Sequence, residues 1–233
     1  TLPLTLFPYT TLFRSVTERT RIVFIANPAN PTGTMLGADD LSRLAEGLPP
    51  RAILVHDGAY TEFADGFDGG ASLVDRHPNA FMTRTFSKIH GLGGLRIGWG
   101  YGVRGVIDVL NRIRQPFNLS SAQMAAAEAA IRDTAFRDHC ADLNARMRRR
   151  MRESLIQMGI GCDESFANFV LARFADPDEA EAADAALRGD GILVRRVGGY
   201  GLPAALRITL GDEIGTTRVI DSLGRFMAAR RPA

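Results

Sequence analysis

The sequence predicts an α/β layered domain followed by a smaller α+β domain, and three observations predict it. Short apolar runs without polar alternation recur through the first half, as in strands buried on both faces of a mostly parallel sheet. A helical pattern separates the first two, so strand and helix alternate. Three of the runs end on polar clusters, at the strand ends where open α/β sheets hold their ligands.

The strand runs are Ile22–Ile25, Ala52–Val55 and Ala80–Met82, with Leu95-Arg96-Ile97-Gly98-Trp99 after them. Asp39–Glu46 reads as a helix whose acidic first turn suits the dipole of a helix start. Ser120–Gly159 reads as helix broken near Thr134, with Leu143, Met147, Met151, Leu155 and Met158 making an apolar stripe that faces a core. The basic run Met147–Arg152 reads as a solvated face of that helix. A strand (Asn168–Phe174), a helix (Asp178–Leu187), two strands (Ile192–Val197 and Leu206–Leu210) and a terminal helix (Thr216–Ala229) follow. The expected division is a sheet domain over residues 16–139 and a smaller domain over 140–233, without internal repeats.

The stretch 1–15, TLPLTLFPYTTLFRS, has no charge before Arg14 and lacks the early positive charge and cleavage site of a secretory signal. Thr5–Ser15 resembles the in-frame translation of a sequencing adapter, so an artefactual leader is expected there, outside the fold.

With 233 residues the chain can hold one large domain or two modest ones around a sizeable core. A net charge of +2 gives no sign of a nucleic-acid or membrane-surface partner. Cys140 and Cys162 fit no disulfide framework, which points to a reducing cytoplasm. His56, His77, His90 and His139 show no metal-ligand spacing, so no metal is expected.

The first strand runs into Asn27-Pro28-Ala29-Asn30-Pro31-Thr32-Gly33, the second into Asp57-Gly58-Ala59-Tyr60, the third into Ser87-Lys88. Parallel neighbouring strands would bring Asn30, Asp57, Tyr60 and Lys88 to one pocket. A lysine amine there can form a Schiff base with an aldehyde. A carboxylate facing a pyridine nitrogen keeps it protonated and makes the ring an electron sink. Asn and Tyr can donate to a phenolate oxygen. The Ser87 hydroxyl and the Arg96 guanidinium suit a phosphate, and the glycines around them let backbone approach closely. The set describes a site for pyridoxal 5'-phosphate (PLP).

NPANPTG, DGAYTEF, TFSKIHGLGGLRIG and GILVRRVGGYGLPAALRITLG, in that order, resemble the histidinol-phosphate aminotransferases among the fold type I PLP enzymes. The resemblance runs from about Arg21 to the terminal helix. It implies a three-layer αβα large domain, a smaller carboxyl-terminal domain and a cytoplasmic homodimer. It implies that Lys88 carries the cofactor and moves the proton at the substrate Cα, and that Asp57 pairs with the pyridine nitrogen. Asn30 and Tyr60 would hold the ring oxygen, Ser87 and Arg96 the cofactor phosphate, and Arg207 the substrate anion with help from Arg195. The implied reaction exchanges an amino group between histidinol phosphate and 2-oxoglutarate. Gly58 and Ala29 stand where the family commonly has Glu and Asn. The family's first third, with the rest of the phosphate cup and the ring-stacking aromatic, has no counterpart here, so the chain alone is expected to bind PLP poorly.

Other readings stay open on sequence alone. Within PLP enzymes they are an aromatic-amino-acid aminotransferase and a phosphothreonine decarboxylase, and an inactive fragment is a further one. Gly100-Tyr101-Gly102-Val103-Arg104-Gly105 matches G-x-G-x-x-G, the signature of a nucleotide-binding oxidoreductase. The acidic residue such a site needs about 20 positions on falls at Ala125–Glu128, in a helical pattern rather than at a strand end.

Overall fold

The computed structural model describes residues 14–230, so residues 1–13 of the expected leader lie outside it. The chain divides into two compact units.

The first unit holds a sheet in the order β1 (Ile22–Ala26), β2 (Ile53–Asp57), β3 (Ala80–Thr85), β4 (Gly98–Gly102). β1, β2 and β3 are parallel, with Ala26 opposite Asp57 and Asp57 opposite Thr83. Helix α1 (Ala38–Gly47) and helix α2 (Ala71–Arg76) follow β1 and β2, as parallel crossovers require. Leu41, Leu44 and Leu48 pack with Leu54, Leu73 and Met82 into this unit's core. Alternation along the strands then places Val23, Leu54 and Met82 on the helix-covered face and Asp57 and Thr83 on the other.

β4 departs from the expected parallel pattern and runs antiparallel to β3. The connection over 86–97 contains only a 3₁₀ turn, Gly93–Leu95, and Phe86 N donates to Ile97 O, so the chain folds straight back. A parallel return would need a crossover. The glycines of the G-x-G-x-x-G match have another use. A Cβ on Gly100 or Gly102 would lie 2.4 or 2.3 Å from the Phe81 ring, so both glycines make room for that side chain. Helices α3 (Arg104–Ile113) and α4 (Ser121–Arg132) complete the unit.

His56, on the helix-covered face of β2, is fully buried. Its ring meets Phe67 edge-on at 5.7 Å, and Gly70, at φ +88°, leaves no room for a side chain beside Nδ1. Burial first, and then the Arg84 charge, lower its pKa from 6.5 to about 4. The folded form therefore holds a neutral ring that the unfolded chain protonates more readily. Its contribution is full above about pH 6.5 and is lost as pH falls toward 4. His56→Leu is expected to flatten the acid side of the Tm profile over that interval, by about 3 kcal/mol at its lower end. An unchanged slope would show that His56 does not carry it.

The second unit runs from Asp133 onward and takes in two short pieces from earlier in the chain, Pro28–Met35 and Glu62–Asp65. Its sheet has the order β5 (Gly161–Cys162), β6 (Phe169–Arg173), β8 (Ala205–Thr209), β7 (Arg195–Arg196), all antiparallel. Three helices pack on it: α5 (Thr134–Gln157), α6 (Pro177–Gly189) and α7 (Glu213–Arg230). The expected helix break at Thr134 is real: the Asp133 carboxylate caps α5 by accepting from Phe136 N. Asp176 and Pro177 start α6 in the same manner.

The α5 stripe behaves as core, with Met147, Met151 and Leu155 buried. The predicted strand Ile192–Val197 shrinks to Arg195–Arg196. Ile192 N is held by Leu187 O at the end of α6, and a 3₁₀ turn at Gly198–Tyr200 takes over beyond. The solvated basic face is corrected at Arg148, whose guanidinium turns inward and bonds three oxygens. Among the described residues no helix is long and apolar enough to cross a membrane.

Candidate active site

Lys88 projects from a tight turn after β3. Phe86 and Ile89 are buried on either side of it, so the turn is pinned and the lysine between them is exposed. Ser87 N donates to Thr85 Oγ1 at 3.0 Å, Gly91 N to Lys88 O at 3.0 Å and Leu92 N to Phe86 O at 2.9 Å, closing the turn on itself. Gly91, at φ +69°, makes the reversal that an L side chain would resist. The amine Nζ lies 5.3 Å from the centre of the Tyr60 ring, within cation–π range. Tyr60 is buried at the end of the β2 segment, where Thr61 N donates back to Gly58 O.

Asp57 is the last residue of β2. One carboxylate oxygen accepts from Ala59 N at 3.2 Å and from Thr83 Oγ1 at 3.5 Å. Sequence reading missed Thr83. Its signal was the alternation Phe81, Thr83, Thr85, which places a hydroxyl on the same face as Asp57.

Arg96 adopts a left-handed conformation, φ +55°, after the 3₁₀ turn. Its Nη1 donates to Gly93 O at 2.8 Å and to Ser87 Oγ at 3.5 Å. A hydroxyl and a guanidinium therefore stand together, and a Cβ on Gly91 or Gly94 would meet nothing within 4 Å. Gln123 Nε2 donates to Leu95 O at 2.7 Å, a contact that no local pattern points to.

Asn30 belongs to the second unit, as do Arg195 and Arg207. Arg207 Nη1 donates to Asn30 Oδ1 at 2.6 Å, and its guanidinium lies 4.9 Å from the Phe169 ring centre. That bond uses the carboxamide oxygen of Asn30 and leaves its NH₂ as a donor. Arg195 stands opposite Arg207 across β7 and β8, while Arg196 points to the other face and pairs with Glu181 at 3.0 Å. Among the described residues neither Arg195 nor Arg207 has a carboxylate partner. Like charges directly opposite on one sheet face repel, so an anion placed between these two guanidiniums would relieve that repulsion.

These residues suit PLP chemically. The hydroxyl–guanidinium pair beside open backbone matches a phosphate monoester, the fixed carboxylate matches a protonated ring nitrogen, and the exposed amine matches an aldehyde.

The mostly parallel sheet, with a carboxylate ending one strand and a lysine turn following the next, is that of the fold type I PLP-dependent transferases. The chain belongs to the family described as aminotransferase class I and II, whose model matches residues 9–223. It is 58% identical over 219 residues to a histidinol-phosphate aminotransferase of Ruegeria pomeroyi, covering 94% of this chain and 61% of that protein. It is 61% identical over 211 residues to the protein of the same name in Roseobacter denitrificans, covering 91% and 59%. Among solved structures, the histidinol-phosphate aminotransferase of Sinorhizobium meliloti in complex with pyridoxal-5'-phosphate matches with a TM-score of 0.82 and 31% identity, over 91% of this chain and 58% of that one. The chain thus spans about three-fifths of the length of the curated relatives it matches.

Proposed function

We propose that the full-length protein is a PLP-dependent aminotransferase that converts histidinol phosphate and 2-oxoglutarate to imidazole acetol phosphate and glutamate. The observation that carries this reading is the Lys88 amine over the Tyr60 ring, beside the Ser87–Arg96 pair. Bound PLP supplies an aldehyde and a pyridinium ring that stores the electron pair released at the substrate Cα. Lys88 would hold the cofactor, and its Nζ would serve as the base that moves the proton between the substrate Cα and the cofactor. Asp57 keeps the ring nitrogen protonated. Asn30 and Tyr60 donate to the ring oxygen, and Ser87 and Arg96 hold the phosphate. Arg207, helped by Arg195, takes the substrate anion. Both proposed substrates carry such a group, a phosphate in one and a carboxylate in the other. A cytoplasmic homodimer is proposed with this activity, taking small-molecule partners and neither nucleic acid nor membrane.

Rates on histidinol phosphate, phenylalanine and phosphothreonine test the reading in a full-length form of the protein. The highest kcat/KM is expected with histidinol phosphate. A preference for phenylalanine, or release of CO₂ from phosphothreonine, would move the protein to another branch of the fold.

Arg207→Lys keeps the charge and loses the planar fork. A rise of about tenfold or more in KM for the anionic substrate is expected, with a smaller change in kcat. Equal loss in both would mean that Arg207 acts on the transition state rather than on binding.

A further inference from the structure

We infer that Arg148 and Ser165 are positioning residues that lock the loop bearing Asn30. The inference rests on the cofactor role proposed for Asn30, and its basis lies wholly in the second unit.

The loop Ala29–Thr34 is closed by two of its own bonds, Ala29 N to Thr34 O at 2.8 Å and Gly33 N to Ala29 O at 2.7 Å. It is also held from behind by the turn at 165–169. Phe166 N donates to Gly33 O at 2.7 Å. The Ser165 side chain fills the space that a side chain on Gly33 would take, since a Cβ there would lie 2.1 Å from Ser165 Oγ. Gly33 has φ +76°, so the position is closed to side chains by conformation and by space.

The turn is itself braced. Ser165 Oγ donates to Phe169 O at 2.6 Å and accepts from Ala167 N at 3.2 Å. Arg148 Nη1 then donates to Ala167 O at 3.2 Å, to Phe63 O at 3.1 Å and to Asn144 Oδ1 at 3.2 Å. One guanidinium therefore joins α5, the 165–169 turn and the Glu62–Asp65 piece that follows Tyr60 in the chain. Burial lowers the pKa of Arg148, opposed by Asp65 and Glu164 nearby. A half-buried cation spent on two backbone carbonyls from distant segments fixes their relative place, which a solvated arginine does not do. With Arg207 also bonded to the Asn30 carboxamide oxygen, the direction of the Asn30 NH₂ follows from where this loop is held.

The test uses full-length protein and two variants, Arg148→Lys and Ser165→Gly; the second leaves α5 untouched, so misfolding of the first does not decide the matter. Hydrogen exchange at the Ala29 and Gly33 amides, measured without cofactor, is expected to speed by about tenfold or more in both. Loaded with PLP, both are expected to bind it about tenfold more weakly. The pH midpoint of the bound cofactor's visible absorbance should move in the direction given by Asn30→Ala, with no further shift when Asn30→Ala is added. A residue that served stability alone would lower Tm and leave that midpoint in place. Wild-type exchange rates in the folded variants overturn the lock even if PLP binds normally. Faster exchange with an unmoved midpoint, or shifts that add to that of Asn30→Ala, overturn its role toward the cofactor. A wild-type protein that takes up no PLP overturns the proposed function, while exchange still reads the lock.

Discussion

Lys88→Ala is expected to lower transamination by about 10³-fold or more and to leave no residue that borohydride can join covalently to PLP. The size follows from two jobs on one amine. In the proposed reaction it captures the cofactor aldehyde and carries the proton at the substrate Cα. The substitution should not disturb folding, because Lys88 is exposed and the turn is set by the burial of Phe86 and Ile89 and by three backbone-directed bonds around it. Its effect on Tm should stay within about 0.5 kcal/mol of stability. Lys88→Arg separates charge from chemistry: the cation over Tyr60 is kept, but a guanidinium neither captures an aldehyde nor gives up a proton at neutral pH. The arginine variant should thus be as inactive as the alanine one. Borohydride labelling of another lysine in the full-length protein would reject the assignment.

The sheet of the first unit was legible because its strands are buried runs with polar ends, and that combination has few other causes. The break near Thr134 was legible because Asp133 is a good cap. Other features depend on packing that no local pattern carries. The reversal of β4 follows from the lack of a helix in the connection over 86–97, while the run Leu95–Trp99 reads the same in either direction. The glycines at 100 and 102 match a nucleotide motif that lacks its acidic partner, and what they do instead shows only when Phe81 is seen against them. Arg148 lies in a run of arginines with the composition of a solvated face, and only the carbonyls of Phe63 and Ala167 single it out. In the site, Asp57, Tyr60 and Lys88 were marked by their place after strands. Thr83 was passed over, because a threonine inside a strand is ordinary until its register with Asp57 is known. The facing of Arg195 and Arg207 likewise needs the β7–β8 register, which sequence alternation narrows to one arginine of two without choosing it.

Asp57→Asn should cost about 10²–10³-fold in kcat while the protein still takes up PLP. The change is nearly isosteric. The amide oxygen can go on accepting from Ala59 N and Thr83 Oγ1, so the end of β2 keeps its shape. What would be lost is the negative charge proposed to hold a proton on the ring nitrogen, and with it the ring's capacity to take up the electron pair from the substrate Cα. The loss should therefore fall on kcat and kcat/KM together, the mark of an interaction that matters in the transition state. Asp57→Glu keeps the charge and pushes it forward by one methylene toward a ring that Ser87, Arg96 and Lys88 would hold in place. Imperfect geometry should cost this variant about 10²-fold, with affinity for PLP reduced as well. The two variants separate charge from position. If Asp57→Asn retains wild-type kcat, the carboxylate is only a brace for the Ala59 turn, and the ring nitrogen must find its partner elsewhere.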